Sequence, residues 1–418
     1  MAAEAIALQP VRPRSIRTGA AWTLGGSLVA AAASWGSVIL LARLGRPETV
    51  GEFTLVYSLA APAFMLAGLQ LRALLATDAG RRTPLADYWG IRLASTGAAL
   101  LVLFVLMSAC GYGAATLAVG AAVVVAKAFE SLSDLVHGIY QQRNRMDCLG
   151  ASVALRGLAS LGTLGGLYWY SGNLLLACAG LALVSAGAFV CDLRQAKRLD
   201  GGESFRPRFS PSSWRHVLRF AFPLGVTMLL ISLQINLPRL LIERWVGRGD
   251  LGIFAALAWV TMAGGLLVQA LGTAASPRLA AAHVRGDRVE FRKLGTNLLL
   301  GASGLGLLAC GAAAGFGDRL LHAVYGPDYG VHGSLFVWLA AAAGVSWVSS
   351  ALGYAATASR RIRLQPAAQA MTVIVLLAGC WLLVPGFGLA GAGWAIFAAA
   401  VVQVAAFAGL FLVGGARG

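Results

Sequence analysis

Hydrophobic residues fill long runs along this chain, and polar residues gather in the short segments between the runs. A helix needs about 20 residues to cross the hydrocarbon core of a bilayer, which is about 30 Å thick. The runs reach or approach that length, so the pattern predicts an all-α polytopic membrane protein. We predict twelve membrane-spanning helices, at 19–42, 53–76, 89–110, 114–138, 150–170, 173–193, 218–243, 251–277, 294–315, 333–358, 367–384 and 388–414.

Basic residues are unevenly divided between the two sets of connecting segments. If the N-terminus is cytoplasmic, 23 of the 33 Lys and Arg residues fall in cytoplasmic segments, six fall in outer segments and four fall within the runs. Cytoplasmic loops of membrane proteins carry an excess of Lys and Arg. The division therefore predicts that both termini are cytoplasmic. Residues 1–18 form a predicted cytoplasmic segment without a cleavable signal pattern, and we expect the first helix to be a retained anchor.

The composition narrows the class of protein further. Hydrophobic residues make up 58% of the chain and charged residues only 12%, whereas soluble domains carry about 25% charged residues. This excludes a soluble enzyme, a disordered protein and a DNA-binding factor. The net charge of +16 lies in clusters that flank apolar runs, so we expect no nucleic-acid partner. The cysteines and histidines show no metal-ligand spacing, and we expect no metal site and no cofactor.

The chain divides into two halves that resemble each other. We predict an N-terminal six-helix bundle at 19–193, a basic cytoplasmic linker at 194–217 and a C-terminal six-helix bundle at 218–418. A shift of 201 residues places Arg43 on Arg244 and Gly51 on Gly252. Six spans in each half give the repeats parallel topology, which is a known transporter plan with the substrate site between the halves.

Several motifs resemble those of one protein family. They are LLARLGRPETVGEFTL at 40–55, the Gln-Gln-Arg stretch at 141–143, FAFPLGVTMLLISLQINLPRLLIERWVGRGDLGIFAALAWV from residue 220, YGPDYG at 325–330, RRIRLQP at 360–366 and VPGFGLAGAGWAI at 384–396. In order and spacing they resemble the lipid-linked oligosaccharide flippases, the O-antigen and exopolysaccharide translocases of the multidrug/oligosaccharidyl-lipid/polysaccharide exporter superfamily.

The resemblance implies a fold and an activity. The fold is two six-helix bundles that form a V around a central cavity. The activity is transfer of an undecaprenyl-pyrophosphate-linked glycan from the cytoplasmic to the periplasmic leaflet of the bacterial inner membrane. Expected partners are this glycan lipid, membrane lipids and polysaccharide polymerase machinery, and we expect a monomer. One departure concerns Pro238, which stands where such flippases often carry an acidic residue just before the Arg of an Asn-x-x-Arg stretch, here Asn236 to Arg239.

Ionisable residues inside the runs are candidates for function, because each costs about 2.5–3.5 kcal/mol on insertion scales. The fourth run carries Lys127, Glu130, Asp134 and His137 and is followed by Gln141, and all five fall within a narrow arc of one helix. One interpretation is a cavity wall in which Glu130 or Asp134 titrates to couple transport to H⁺ or Na⁺. The other interpretation is a structural network whose members satisfy one another.

Three arginines also lie inside predicted spans. Arg72 and Arg92 are within a turn of a helix end, so we expect their side chains to reach toward lipid headgroups. Arg156 lies deeper, and a guanidinium forms paired hydrogen bonds with phosphate oxygens. We therefore predict that Arg156 and Lys127, assisted by Arg92, bind the lipid pyrophosphate. Helices 9–12 carry no charged residue within their spans, so we expect that half to supply packing and a lipid-facing groove.

Other activities remain open at this level. Arg43, Arg244 and Arg239 are candidates for a periplasmic gate. A multidrug or small-molecule antiporter of the same superfamily is one alternative, although four basic against two acidic intramembrane residues favour an anionic substrate. A membrane glycan polymerase or ligase is another, but it needs a large outer loop. The longest such segment, 316–332, is short, so we expect no catalytic residues and no enzyme activity.

Overall fold

The described residues form a bundle of long helices joined by short turns. The structure is a computed structural model that describes residues 16–78, 83–200, 205–359 and 365–415. Some residues used in the topology argument lie outside the described residues. They are segment 1–15, the pair Arg81 and Arg82, and the three arginines Arg360, Arg361 and Arg363. The helices are α1 Ile16–Leu44, α2 Pro47–Gly68, α3 Leu71–Thr77, α4 Leu85–Ala109, α5 Ala114–Gln142, α6 Met146–Ser171, α7 Leu174–Asp200, α8 Pro211–Trp245, α9 Arg248–Val284, α10 Arg288–Tyr325, α11 Pro327–Gly330, α12 Gly333–Ala358 and α13 Gln365–Gly415.

Eleven stretches of the described chain are long and apolar enough to cross a membrane. The last of them belongs to α13, whose 51 residues would extend about 75 Å as one straight helix. Gly388 breaks α13 with φ 55° and ψ −132°, a conformation that favours glycine. The break divides α13 into two spans and gives twelve crossings. The predicted fold class and number of spans are therefore confirmed.

One predicted span has a break that the sequence pattern did not indicate. The run 53–76 forms α2 and α3, which are separated by Leu69 and Gln70 in left-handed backbone conformations with φ 49° and 50°. Gly225 of α8 packs against this break, where a Cβ atom would lie 3.0 Å from the Leu66 carbonyl oxygen. A helix of the second half thus approaches the first half closely at this point.

The two halves repeat the same helical hairpin. Leu44 ends α1 and Pro47 begins α2, while Trp245 ends α8 and Arg248 begins α9, so both boundaries follow the predicted shift of 201 residues. We call the side of the bundle with these two hairpins the hairpin face. The opposite side, where α1 begins, is the terminal face; twelve crossings return the chain to it.

The two hairpins pack directly against each other. A Cβ atom on Gly51 would collide with the carbonyl oxygen of Arg248, and one on Gly252 would collide with the carbonyl oxygen of Pro47. The contact is therefore reciprocal between equivalent positions and requires glycine on both sides. Around it, one hydrophobic cluster joins residues of both halves, including Phe53 of α2 and Phe254 of α9. The hairpin face is closed by this packing.

Candidate functional site

All six intramembrane charged residues singled out from the sequence line one cavity. The cavity has a volume of about 500 Å³ and is lined mainly by α2 to α6. We call it the first-bundle cavity. It extends from the middle of α5, where Lys127 lies, past Arg72 at the start of α3 to Gln141 at the terminal-face end of α5. The charged members are Arg72, Arg92, Lys127, Glu130, Asp134 and Arg156.

Asp134 is held by two arginines. Its Oδ2 accepts a hydrogen bond from Nη2 of Arg92 at 3.1 Å, and its Oδ1 lies 3.4 Å from Nη1 of Arg72. Arg92 is 1% exposed and also donates to Ser131 at 3.2 Å, while Arg72 also donates to Gln141 at 3.2 Å. The expectation that these two arginines reach toward headgroups is therefore wrong, because both bind the carboxylate of Asp134 in the cavity wall.

Glu130 and Lys127 form a second ion pair on the same helix. Nζ of Lys127 lies 2.8 Å from Oε2 of Glu130 and 4.7 Å from the centre of the Tyr57 ring. Both side chains are partly exposed to the cavity, at 23% and 28%. The pair is thus shielded from lipid but remains accessible from the cavity.

His137 does not line the cavity with the other polar residues of α5, although the sequence pattern placed it on the same face. The ring is 2% exposed, and its Nε2 lies 3.2 Å from Ser152 Oγ of α6 and 3.4 Å from Asp192 Oδ2 of α7. The predicted face of α5 therefore divides. Lys127, Glu130, Asp134 and Gln141 line the cavity, and His137 joins α5 to its neighbours α6 and α7.

Arg156 borders a second cavity that lies between the two halves. This junction cavity has a volume of about 310 Å³ and includes Lys127, Glu130 and Arg156 from the first half with Arg239 and Trp259 from the second. Nη1 of Arg156 is buried and has no hydrogen-bond partner within the described part of the chain. Its guanidinium is thus not fully saturated by the protein.

Arg239 is buried in the wall of the junction cavity. It is 8% exposed and lies about 9 Å along α8 from the hairpin-face end of that helix. Nη1 donates to Oδ1 of Asn236 at 3.3 Å, but the buried Nε has no partner among the described residues. Arg239 therefore lies inside α8, as the predicted span 218–243 implies, and its role as a gate residue stays a prediction.

Arg43 contacts the second half at the hairpin face. Its Nε donates to the carbonyl oxygen of Val324 at 2.9 Å, and its Nη2 contacts that of Ala323. The equivalent Arg244 is exposed and forms no hydrogen bond or ion pair with any described residue. Close to Arg43, Nε1 of Trp35 donates to the Tyr325 hydroxyl at 2.7 Å, and that hydroxyl donates to the carbonyl of Ala256 at 2.8 Å.

Sequence reasoning missed one charged cluster at this face. Arg248 donates to Thr116 at 3.0 Å and lies within 4 Å of the carboxylates of Glu52 and Glu243. Thr116 in turn donates to Glu52 at 2.8 Å. The cluster joins α2, α5, α8 and α9 and adds polar contacts to the closed hairpin face. Arg248 falls in a loop by hydropathy, which gave no reason to single it out.

The chain is similar to proteins of polysaccharide biosynthesis and of lipid and drug transport. A family model described as polysaccharide biosynthesis protein matches residues 16–283. The capsular polysaccharide biosynthesis protein CapF of Staphylococcus aureus is 24% identical over 361 residues, which are 86% of this chain and 90% of that protein.

Two solved structures show a related fold. The lipid II flippase MurJ in an inward closed conformation gives a TM-score of 0.76 at 11% identity, over 93% of this chain and 86% of that one. An inward-facing MATE family multidrug resistance transporter of the MOP superfamily gives 0.66 at 15% identity, over 92% and 93%. The chain is a multi-pass membrane protein with this fold, and it belongs to the polysaccharide biosynthesis protein family.

Proposed function

We propose that the protein flips an undecaprenyl-pyrophosphate-linked oligosaccharide from the cytoplasmic to the periplasmic leaflet of the bacterial inner membrane, by alternating access between its two bundles. The observation that carries this proposal is the junction cavity. Lys127, Arg156 and Arg239 line it from both halves, and Glu130 is the acid that faces them there. A site formed by both bundles changes shape whenever the bundles move relative to each other.

The electrostatics of the junction cavity suit a pyrophosphate. Buried charges are stable only when they are paired and hydrogen-bonded. Arg156 and Arg239 each keep a buried nitrogen without a partner in the described chain, and Glu130 balances only Lys127 directly. A dianionic pyrophosphate would supply the missing acceptors, and arginine forms paired hydrogen bonds with phosphate oxygens.

The closed hairpin face fits one state of an alternating-access cycle. With both termini in the cytoplasm, as the distribution of basic residues predicts, the hairpin face is periplasmic and the first-bundle cavity reaches the cytoplasmic side. The glycan lipid would then enter from the cytoplasm. Separation of the Gly51 and Gly252 contacts would open the periplasmic side.

Ion coupling, in this proposal, acts through Glu130. Asp134 already binds two guanidiniums, whereas Glu130 has one direct ion-pair partner, Lys127. Protonation of Glu130 would free the Lys127 ammonium group for the substrate phosphate. An ion gradient could therefore alternate Lys127 between Glu130 and the pyrophosphate.

The two alternatives find less support. A cation-exporting drug pocket favours an unpaired acid, but both acids of the first-bundle cavity are paired with cations. A polymerase or ligase needs a large outer segment, but most of 316–332 is helical, with α10 continuing to Tyr325. Arg43 and Trp35 bind the end of that helix. The segment therefore closes the hairpin face, which accounts for it without catalysis.

Reconstitution tests the proposal directly. Purified protein in liposomes that contain undecaprenyl-pyrophosphate-linked oligosaccharide should move the glycan between leaflets, as scored by accessibility to an added glycosidase. The double variant Lys127→Glu and Arg156→Glu should lose at least tenfold in rate, because two cations of the junction cavity become anions. Arg285→Glu is the control for charge reversal, since Arg285 is 56% exposed beside Glu290 and far from the cavity. Unchanged flipping by the double variant would refute the site.

A further inference from the structure

The second half contains a cavity of its own, lined mainly by apolar side chains with a smaller set of polar ones. This second-bundle cavity has a volume of about 430 Å³, within the range of about 300–1,000 Å³ found for small-molecule sites. The described residues that line it belong to α8, α9, α12 and α13. Its polar members are Gln234, Arg239, Thr261, Ser346, Ser350, Gln369 and Gln403.

A pair of amides forms the centre of its polar wall. Gln403 is 8% exposed, and its Nε2 donates to Oε1 of Gln369 at 2.8 Å. A side-chain amide offers two donor hydrogens and an acceptor oxygen, so this bond leaves Oε1 of Gln403 and the amino group of Gln369 available for a ligand. Such an uncharged pair, with both donors and acceptors, matches hydroxyl or acetamido groups better than ions.

Arg239 connects this cavity to the proposed pyrophosphate site, because it lies in the walls of both. From Arg239, α8 lines the second-bundle cavity back to Ile231, a length of about 12 Å. No carboxylate and no cation besides Arg239 is present among the described residues that line the cavity. A group covalently attached to a pyrophosphate at Arg239 would therefore face an uncharged, mainly apolar surface that carries several amides and hydroxyls.

We infer that the second-bundle cavity binds the first sugar of the glycan, an uncharged hexose or N-acetylhexosamine next to the pyrophosphate. This inference rests on the proposed function. It adds that the two halves bind different parts of the substrate. Lys127 and Arg156 hold the phosphates, Arg239 lies at the boundary, and Gln369 and Gln403 recognise the sugar. A site that pairs with hydroxyl or amide groups discriminates against ligands that lack them, because its own polar groups then stay unpaired.

Two forms of the lipid separate sugar recognition from pyrophosphate binding. The probes are undecaprenyl pyrophosphate alone and the same lipid carrying one glucose or one N-acetylglucosamine, titrated into protein in lipid nanodiscs. Wild-type protein should bind at least one sugar-bearing lipid more tightly than the bare lipid. Gln403→Leu should weaken binding of that lipid about fivefold to tenfold, consistent with the loss of one or two hydrogen bonds, and leave the affinity for the bare lipid unchanged.

Controls distinguish recognition from damage to the fold. Gln369→Leu should weaken binding of the sugar-bearing lipid in the same way. It takes the place of Gln403→Leu in the test if Gln403→Leu melts at a lower temperature than the wild-type protein. Gln195→Leu is the matched control, because it makes the same change in the first bundle, where Gln195 contacts Cys148, and it should alter neither affinity. Lys127→Glu with Arg156→Glu should weaken binding of every lipid in the series.

The outcomes separate this inference from the proposed function. Equal wild-type affinity for the bare and sugar-bearing lipids, or an equal loss for both in Gln403→Leu, would overturn the sugar site and leave the flippase proposal standing. Wild-type protein that binds none of these lipids would overturn both. A loss confined to the sugar-bearing lipid supports the division of the substrate between the halves.

Discussion

The cavities of the two bundles differ in how they use polar residues, although both bundles present the same hairpin. The first-bundle cavity contains six ionisable side chains, and each of its acids is bound by a cation. The second-bundle cavity contains Arg239 with a set of neutral amides and hydroxyls. The repeated architecture therefore fixes how the halves meet, while the interior of each half is free to take a separate chemical role.

The charges of the first-bundle cavity themselves fall into two groups. Arg92 is nearly inaccessible, so its pairing with Asp134 is part of the folded core. Lys127 and Glu130 are partly exposed, so their pairing can be exchanged for a ligand. The comparison predicts that one ion pair governs stability and the other governs transport.

The largest expected effect is on stability, in Asp134→Asn. This change removes the carboxylate that binds Arg92 and Arg72, and loss of one partner of a buried ion pair is strongly destabilising. Because Asp134 is 40% exposed, we expect a loss of about 2–3 kcal/mol. Thermal unfolding in detergent measures it. Glu130→Gln is the control, and equal melting temperatures for the two variants would contradict the division into core and exchangeable pairs.

The next effect concerns the symmetric hairpins. Gly51→Ala and Gly252→Ala each insert a methyl group against a backbone carbonyl of the other hairpin, and such overpacking costs about 1–3 kcal/mol. Both should shift the protein toward an open hairpin face. Labelling of Thr54→Cys, a position 5% exposed, with an impermeant maleimide in a cysteine-free background should increase to a similar extent in both variants.

A control glycine makes the hairpin test specific. Gly311 has open space where its Cβ atom would lie, so Gly311→Ala should leave the labelling unchanged. A response of Gly51→Ala without one of Gly252→Ala would show that the two hairpins are not energetically equivalent.

Arg43 and Arg244 test how far sequence equivalence extends. Arg43→Ala removes hydrogen bonds to the end of α10. A hydrogen bond from a charged donor contributes about 1.5–3 kcal/mol, and less when it is exposed to solvent. We therefore expect the closed hairpin face to lose about 1 kcal/mol of stability. Arg244→Ala should have no measurable effect. The same maleimide assay reports both, and a larger response for Arg244→Ala would contradict the structure.

The smallest expected effect is an increase in affinity for the substrate lipid. Glu130→Gln should increase affinity for undecaprenyl pyrophosphate severalfold, because Lys127 loses its competing carboxylate and becomes free for the phosphates. The same variant should flip at a rate that no longer depends on an imposed ion gradient. Nanodisc titration and liposome assays with and without the gradient measure the two effects. A lower affinity would mean that Glu130 orients Lys127 for the substrate and does not compete with it.

The spans and the hairpin repeat were predictable because both depend on local patterns, hydropathy and a shared set of residues. The intramembrane charges were also predictable, since their cost in the bilayer makes them conspicuous. The pairing of Lys127 with Glu130 was predictable from their spacing of three residues on one helix, but partners on other helices were not. The contact of Arg92 with Asp134 and the orientation of His137 toward α7 depend on how four helices pack, which no spacing along one helix contains.

The second-bundle cavity was missed for a different reason. Gln369 and Gln403 carry no charge and lie 34 positions apart, so neither stands out in an apolar run. They meet only because Gly388 turns α13 back on itself. Arg239 was grouped with the outer basic residues as a gate candidate, although its predicted span of 218–243 already includes it. Its burial depends on packing against other helices, which the spacing along one helix does not contain.

The break at Leu69 and Gln70 has a consequence for the resting population of conformations. Residues other than glycine in left-handed backbone cost of the order of 1 kcal/mol each, and Gln70 also lines the first-bundle cavity. Straightening of α2 and α3 into one helix would release roughly 2 kcal/mol. The partly exposed Gln70 is the position at which this strain can be relieved without opening the core. Gln70→Gly should therefore lower the fraction of molecules that leave the closed form without substrate.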